Sequence, residues 1–426
     1  MSIKEKFTDR YLDPYKLNLF LKGLRNLNDL LIIGNSEENR PIYGIKIGNG
    51  PIKVLLWSQM HGNETSTTKA LCQLLELLEN PAHEGLMTNL TFKIIPQLNP
   101  DGAVKYTRYN ANNIDLNRDA VNLTQSESKA LSKIFKEFKP DFCFNLHDQR
   151  TLYAAGKMGL PATISFLAPS GDPEGSISSS REVSMKIIAA INKSLQIDLP
   201  GQIGRYDDSF NINCVGDKFS SLAIPTILFE AGHFPNDYNR NVTANYVLKA
   251  LIDAIKIISN KDYNNYTIDQ YLNIPENSKD YSDLLITGVS IVDQGKVYQN
   301  QELVVNYKEV LSNSKVEFIP YMIDYSNSWT GLTHKTIEIE SMEINNKIVG
   351  YVSFSPILTN SEVGISGYIL APIGVLPNYQ NKGVGSALIN EGKNHFSKCG
   401  IDVLLVYGDP EYYGKFGFND EDSQPF

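Results

Sequence analysis

Cysteine is scarce in this chain: four residues in 426, Cys72, Cys143, Cys214 and Cys399, widely spaced and without a C-x-x-C pair. That excludes a disulfide framework and a cysteine-rich zinc site, and predicts four reduced, mostly buried thiols. Long apolar runs are also missing. None approaches the ~18 residues needed to span a bilayer. The start, Met1 to Phe7, has no apolar core of a secretory signal. A cytoplasmic location, with no membrane partner, is the expectation from these absences. Basic runs are absent too. Lys and Arg total 39 against 48 Asp and Glu, a formal charge of −9, which repels phosphate backbones and argues against a nucleic-acid partner. There is no G-x-S-x-G, no P-loop and no H-E-x-x-H; His83-Glu84 lacks the later histidine. Serine-hydrolase, NTP-dependent and thermolysin-like chemistry therefore have no support.

What is present is a globular balance, 42% hydrophobic and 20% charged, over a length that predicts two or three domains. Apolar spacing predicts a helix over 14–31. Residues 41–48 alternate as a strand ending in a Gly-Asn-Gly-Pro turn. Continuous apolar runs at 53–58, 90–97, 141–146 and 223–230 read as buried strands. Helical patterns at 65–80, 126–138, 183–195 and 246–258 alternate with them. Such alternation predicts an α/β fold: an α/β/α sandwich around a mostly parallel mixed central sheet. Residues 260–283, rich in Asn, Asp, Tyr and Ser, read as a linker or loose extension. Residues 284–333 hold strand-like pieces without recognisable chemistry, and a new strand–turn–helix pattern begins near 344. The expected division is a catalytic domain over 1–262, an accessory segment over 263–343 and a partial α/β domain over 344–426.

In sheets of this type ligands bind beyond the carboxyl ends of strands. His61 follows the 53–58 strand, Glu64 lies three residues on, and His147 and Glu230 close two other strands. Two histidines and a glutamate are a known catalytic zinc set with one position left for water. Each residue alone has a plainer reading: a surface H-x-x-E pair, a hydrogen-bonded core histidine, a structural carboxylate. An unpaired buried Glu230 would be costly, which points to a partner.

The motifs occur together. Trp57-Ser58-Gln59-Met60-His61-Gly62-Asn63-Glu64, Gln97-Leu98-Asn99-Pro100-Asp101-Gly102, Thr107-Arg108-Tyr109-Asn110 through Asp115-Leu116-Asn117-Arg118-Asp119, and Phe229-Glu230-Ala231-Gly232-His233 appear in that order. Over about residues 10 to 260 the chain resembles the zinc carboxypeptidase family. The resemblance implies that His61, Glu64 and His147 hold Zn2+, and that Asp115 orients His61. It implies that Asn117 and Arg118 grip a substrate's terminal carboxylate, Arg118 through a bidentate fork. Arg108 would stabilise the oxyanion, and Glu230 would take the proton from the zinc-bound water and pass it to the leaving amine. Arg108 lies only nine residues before Asn117, a shorter segment than in digestive members. Tyr206 is the nearest match to the family's substrate-covering tyrosine but is offset; it reads equally as a half-buried loop residue. The expected substrate is a peptide, or an N-acyl amino acid, with a free carboxylate. The second alternative follows from H-G-N-E and D-L-N-R, which also resemble aspartoacylase and succinylglutamate desuccinylase. The N-P-D-G segment favours the carboxypeptidase branch, and the full ligand set with Glu230 argues against an inert scaffold.

Near the end, Gln380-Asn381-Lys382-Gly383-Val384-Gly385-Ser386 follows a strand and opens a helix. Exposed backbone N–H groups at such a turn suit a pyrophosphate. With Tyr413 in Tyr413-Gly414-Lys415-Phe416-Gly417-Phe418, residues 344–418 resemble the GNAT acetyltransferases. That resemblance implies a coenzyme A site at Gln380, Gly383, Gly385 and Ser386, acetyl-CoA as cofactor and Tyr413 as general acid. The strand and helices that family carries before this stretch are not evident, so a partial domain is expected.

Overall fold

The structure is a computed structural model, and it describes residues 7–24, 30–80, 85, 88–157, 159–293, 296–326, 329–345, 350–357, 367–375, 379–406 and 408–419. The chain divides into two compact units: residues 1–287 with 302–338, and residues 288–301 with 339–426.

The first unit opens with α1 (Pro14–Gly23), where Asp13 accepts from the Tyr15 N–H and Pro14 occupies the first turn. The predicted helix over 14–31 is too long. It ends at Gly23, and Leu30 and Leu31 belong to β1 (Leu30–Asn35), which pairs antiparallel with β2 (Pro41–Ile47). Strand pairing claims those leucines, a long-range outcome that local spacing does not carry. The chain continues through β3 (Ile52–Ser58), α2 (Ser66–Glu79), β4 (Leu90–Ile95), α3 (Pro100–Lys105), α4 (Ser126–Phe138), β5 (Phe142–Asp148), β6 (Ala154–Ala155) and β7 (Ile164–Leu167). Next come α5 (Ser179–Leu195), β8 (Ile203–Arg205), α6 (Val215–Ser221), β9 (Thr226–Ala231) and α7 (Asn241–Asn260).

Eight strands form one mixed sheet in the order β1-β2-β4-β3-β5-β9-β7-β8. Its centre, β4-β3-β5-β9, is parallel; β2 and β7 join it antiparallel, β1 pairs antiparallel with β2 and β8 parallel with β7. The period of two in β3 explains the layering. Val54 and Leu56 face a core built with α1, α2, α5 and α7, whereas Leu55 and Trp57 face a smaller one built with α4 and α6. The result is the expected α/β/α sandwich.

The stretch after α7 is not a loose linker. It forms α8 (Ile268–Leu272), whose Thr267–Gln270 capping box fixes its start. Tyr271 and Ile274 are buried in the main core, and the Tyr271 hydroxyl accepts from the Ala168 N–H at 3.2 Å. After β10 (Asn277–Ser278) come β11 (Tyr281–Asp293), β12 (Lys296–Ser312), β13 (Lys315–Ser326) and β14 (Leu332–Asn345), a sheet ordered β13-β12-β11-β14.

The second unit contains β15 (Gly350–Ile357) antiparallel to β16 (Gly367–Val375), α9 (Val384–Lys398), β17 (Val403–Val406) parallel to β16, and α10 (Pro410–Tyr413). Leu370, Ile389, Tyr413 and Phe416 form its small core. The described part of the strand expected over 347–353 runs from Gly350; residues 347–349 lie outside the described residues, as does Tyr407. Cys72 and Cys143 are buried, Cys214 half-buried and Cys399 exposed, all free thiols. No helix among the described residues is long and apolar enough to cross a membrane.

Candidate active site

The site grows from the carboxyl ends of β3, β5 and β9. Beyond β3 the chain turns through Gln59, which has φ 51°, and its side-chain amide donates to the Gly62 carbonyl at 2.7 Å. Gly62 lies against the N-P-D-G segment: a Cβ there would fall 1.9 Å from the Gly102 carbonyl carbon. Asn99 ties the two together. Its Oδ1 accepts from the Gly102 N–H at 2.8 Å and its Nδ2 donates to the Met60 carbonyl at 3.1 Å. The glycine and the asparagine are thus required by backbone-to-backbone contact. α2 begins just after Glu64, and Asp148 at the end of β5 caps it, accepting from the Ser66 and Thr67 N–H groups at 2.9 and 3.2 Å.

His61, Glu64 and His147 are brought together, all buried, with ligand atoms within 4.8 Å of one another. His61 Nδ1 is 2.7 Å from Glu64 Oε1, and His147 Nδ1 is 2.9 Å from Glu64 Oε2. The outer nitrogen of His61, Nε2, lies 3.0 Å from Asp115 Oδ1. Both ring nitrogens of His61 thus face a carboxylate; with a cation on Nδ1 the ring proton would stay on Nε2, held by Asp115. His61 Nδ1, His147 Nδ1 and the Glu64 carboxylate are close enough together to serve as ligands of one cation. The donor set, two imidazoles and a carboxylate, fits a zinc ion. The charges of the cluster are tightly linked. Burial works to raise the Glu64 carboxyl, yet the two imidazoles hold it far below its usual range. Burial lowers His147; it also opposes charge on His61, but Glu64 and Asp115 win and raise it. Asp115 is held well below the usual carboxylate range: burial is outweighed by His61 and Arg108.

Glu230 sits on β9 directly opposite His147 in the parallel register of β5 and β9. Burial, then the charges of Glu64 and Asp148, push its carboxyl well above the usual range, against the pull of Arg108. Arg108 donates through Nε to Asp115 Oδ2 at 3.0 Å, and its Nη1 lies 3.3 Å from His61 Nδ1. Asn117 and Arg118 follow on the short turn Leu116–Arg118. The Asn117 Oδ1 accepts from the Val215 N–H at 2.9 Å, while the exposed Arg118 donates to the Asn117 carbonyl at 2.7 Å and to Cys214 Sγ at 3.0 Å. Arg118 has no ion pair among the described residues. Tyr206, just past β8, packs edge-on to Tyr153 at 5.5 Å, and burial followed by the Glu230 charge raises its hydroxyl pKa.

Eight of these nine side chains, all but Asp115, line one cleft of about 320 Å³. Also in its wall are residues the sequence reading passed over: Asn145, Asp148, Arg150, Asp207 and Asp217. Asp148 and Arg150 follow His147 at a strand end, a position that marks such residues for attention. Asp217 on α6 offers no comparable signal.

In the second unit, Gly383 caps α9 with φ 81°. Gln380 donates to the Val375 carbonyl at 3.0 Å, Gly385 lies under the Tyr412 hydroxyl, and Ser386 is in the first turn of α9. Tyr413 is buried in that unit's core rather than facing solvent.

Residues 21–151 match the sequence profile of the zinc carboxypeptidases, and residues 338–420 that of the GNAT acetyltransferase domain. The first span contains every named residue from His61 to His147; Tyr206 and Glu230 lie beyond it. "Probable carboxypeptidase 2" of Arthroderma benhamiae is 31% identical over 125 residues, 26% of this chain and 24% of that protein. The uncharacterized N-acetyltransferase YhbS of Escherichia coli is 29% identical over 83 residues, 20% of this chain and 49% of that protein. The chain thus spans about a quarter of the length of the carboxypeptidases it matches. A metallo-carboxypeptidase from Burkholderia cenocepacia superposes with a TM-score of 0.49 at 18% identity, over 59% of this chain and 70% of that one.

Proposed function

We propose that the first unit is a zinc-dependent carboxypeptidase that hydrolyses the amide bond preceding a free C-terminal carboxylate. The observation that carries this reading is the convergence of His61 Nδ1, His147 Nδ1 and the Glu64 carboxylate within 4.8 Å, with Glu230 in register beside them. Zinc held by these three residues supplies Lewis acidity, which makes a water nucleophilic near neutral pH and polarises a carbonyl. The chain's own residues do the rest. Arg118 and Asn117 bind the terminal carboxylate, and the Arg118 guanidinium, which has no ion pair among the described residues, is available for it. Arg108 donates to the scissile carbonyl oxygen as negative charge develops there. Glu230 accepts the proton of the attacking water and delivers it to the leaving amine; a pKa raised by burial suits both halves of that task. Asp115 fixes the His61 ring, and Tyr206 covers the bound substrate.

Release of the last amino acid from peptides with free or amidated C-termini tests this. Hydrolysis of the free form alone is expected. Equal rates on both forms would contradict it, and turnover confined to N-acyl amino acids would assign the site to the related amidohydrolases.

For the second unit the reading is weak binding of coenzyme A at the Gly383 turn, where backbone N–H groups open a helix of 15 residues. Calorimetric titration with acetyl-CoA tests it. Tight binding together with acetyl transfer to an amine would make the protein bifunctional.

A further inference from the structure

The accessory sheet delivers one charged side chain to the border of the cleft. Glu309 on β12 has a side chain only 9% exposed, and its Oε2 accepts from Arg10 Nε at 3.0 Å, from Arg150 Nη1 at 2.8 Å and from the Tyr106 hydroxyl. Burial works to raise this carboxyl, but Arg10, Arg150 and Arg240 together hold it well below its usual range, so it is ionised throughout the working pH range.

The two arginines it holds lead to the site by different routes. Arg10 is 1% exposed and passes the contact on: its Nη1 donates to Asp148 Oδ2 at 3.1 Å and to Ser66 Oγ at 2.9 Å. Asp148 in turn caps α2, and its N–H donates to Glu64 Oε2 at 3.2 Å. Arg150 is 28% exposed and itself lines the cleft with His61, Glu64 and Glu230. It also donates to the Asn63 carbonyl at 3.4 Å and lies over the Tyr106 ring at 5.7 Å. A buried arginine such as Arg10 needs a counter-charge to be tolerated. A partly solvated one such as Arg150 does not; a buried carboxylate on it instead restricts where its fork can go.

We propose that Glu309 is a positioning residue: it fixes the Arg150 guanidinium in the cleft as a cation additional to Arg108 and Arg118, which binds a carbonyl or carboxylate oxygen on the acyl side of a peptide whose terminal carboxylate is taken by Arg118. Arg118 contacts Cys214 and Asn117, whereas Arg150 contacts Asn63, Tyr106 and Glu309, so the two cations belong to separate supports within one cleft. This rests on the carboxypeptidase reading for the substrate's orientation. It adds a requirement that the peptide extend past the scissile bond, and it gives the accessory sheet a part in substrate binding.

The test uses the full chain in two states. In the metal-free protein, titration with a tripeptide bearing a free carboxylate reads binding without turnover. Glu309→Gln is expected to weaken it by about tenfold, the scale of one charge-assisted hydrogen bond. Arg150→Met should weaken it as much, the double variant no further, and Arg150→Lys less. In the zinc-loaded protein the same changes should appear in KM with kcat little altered. If Glu309→Gln unfolds at a lower temperature but binds the tripeptide as the parent does, Glu309 only neutralises Arg10 and the proposal falls. Unchanged affinity in Arg150→Met overturns it independently, even should Glu309→Gln fail to fold. Loss of hydrolysis from the account is separable: a parent protein that binds the tripeptide with this coupling yet never cleaves it sinks the peptidase reading and leaves the role of Glu309 standing. A parent that binds no tripeptide overturns the proposal.

Discussion

Two glycine-bearing turns in this chain connect a strand to a helix, and they differ in what surrounds them. Between β3 and α2, Gly62 is pressed so closely on the Gly102 backbone that no side chain fits. Between β16 and α9, a Cβ on Gly383 would meet nothing within 4 Å. The first turn is enclosed by Asn99 and by Asp148 of β5; the second is open at Gly383, though Gly385 lies under the Tyr412 hydroxyl. Both follow from a recognisable string of residues. Among the described residues, polar groups from several distant elements converge on the first, and convergence is what turns exposed backbone and a few polar side chains into a preorganised site.

That contrast is sharpened most by the carboxylate facing the enclosed turn. Glu230→Gln is nearly isosteric but accepts no proton, and turnover should fall by at least ~10²-fold with zinc content unchanged. Near-normal turnover would remove Glu230 from the chemistry. The glycines themselves provide a matched pair. Gly62→Ala forces backbone apart and should cost about 4 kcal/mol or more, or prevent folding; chemical denaturation reads this. Gly383→Ala meets open space and pays only for its positive φ, about 1 kcal/mol. Equal costs would mean that the enclosure of Gly62 is not what the structure describes.

A smaller effect is expected one contact out from the metal centre. Asp115→Asn keeps the shape but removes the charge behind His61, and chelator competition should show zinc affinity lower by about 10- to 100-fold. Smaller still is a pH effect from the accessory sheet. Burial, with Arg240 nearby, pushes His334 down from 6.5 to about 4, beside Tyr281 at 4.7 Å and His233 at 5.5 Å. A histidine whose folded pKa is depressed takes up its proton earlier in the unfolded chain. Stability is therefore unaffected above pH 6.5 and is lost as the pH falls toward 4, by about 2 kcal/mol for this half-buried group. Replacing it with phenylalanine should flatten the fall in Tm across that window, and an unchanged slope would assign the acid sensitivity elsewhere.

The legible part of the molecule was the part with local signatures. Buried strands announced themselves as unbroken apolar runs, and the H-x-x-E and D-x-N-R strings fixed their own turns. The failures are of another kind. Leu30 and Leu31 continue a helical spacing yet pair with β2, and Tyr271 and Ile274 sit in a polar stretch yet anchor it to the core. Glu309 is the extreme case: a glutamate in an unremarked strand whose partner Arg10 lies 299 residues away. No period or motif encodes such a contact, because its meaning exists only once two sheets of the folded unit have met.

The central claim is that His61, Glu64 and His147 form one zinc centre on which hydrolysis depends. Zinc content and release of a C-terminal residue, measured on the same preparations of the parent and of His147→Ala, test it most directly. The account predicts about one zinc per chain in the parent, as in sites of this ligand set, and loss of most of the metal together with the activity in the variant. Full zinc occupancy in His147→Ala, or hydrolysis that survives without the metal, would contradict it.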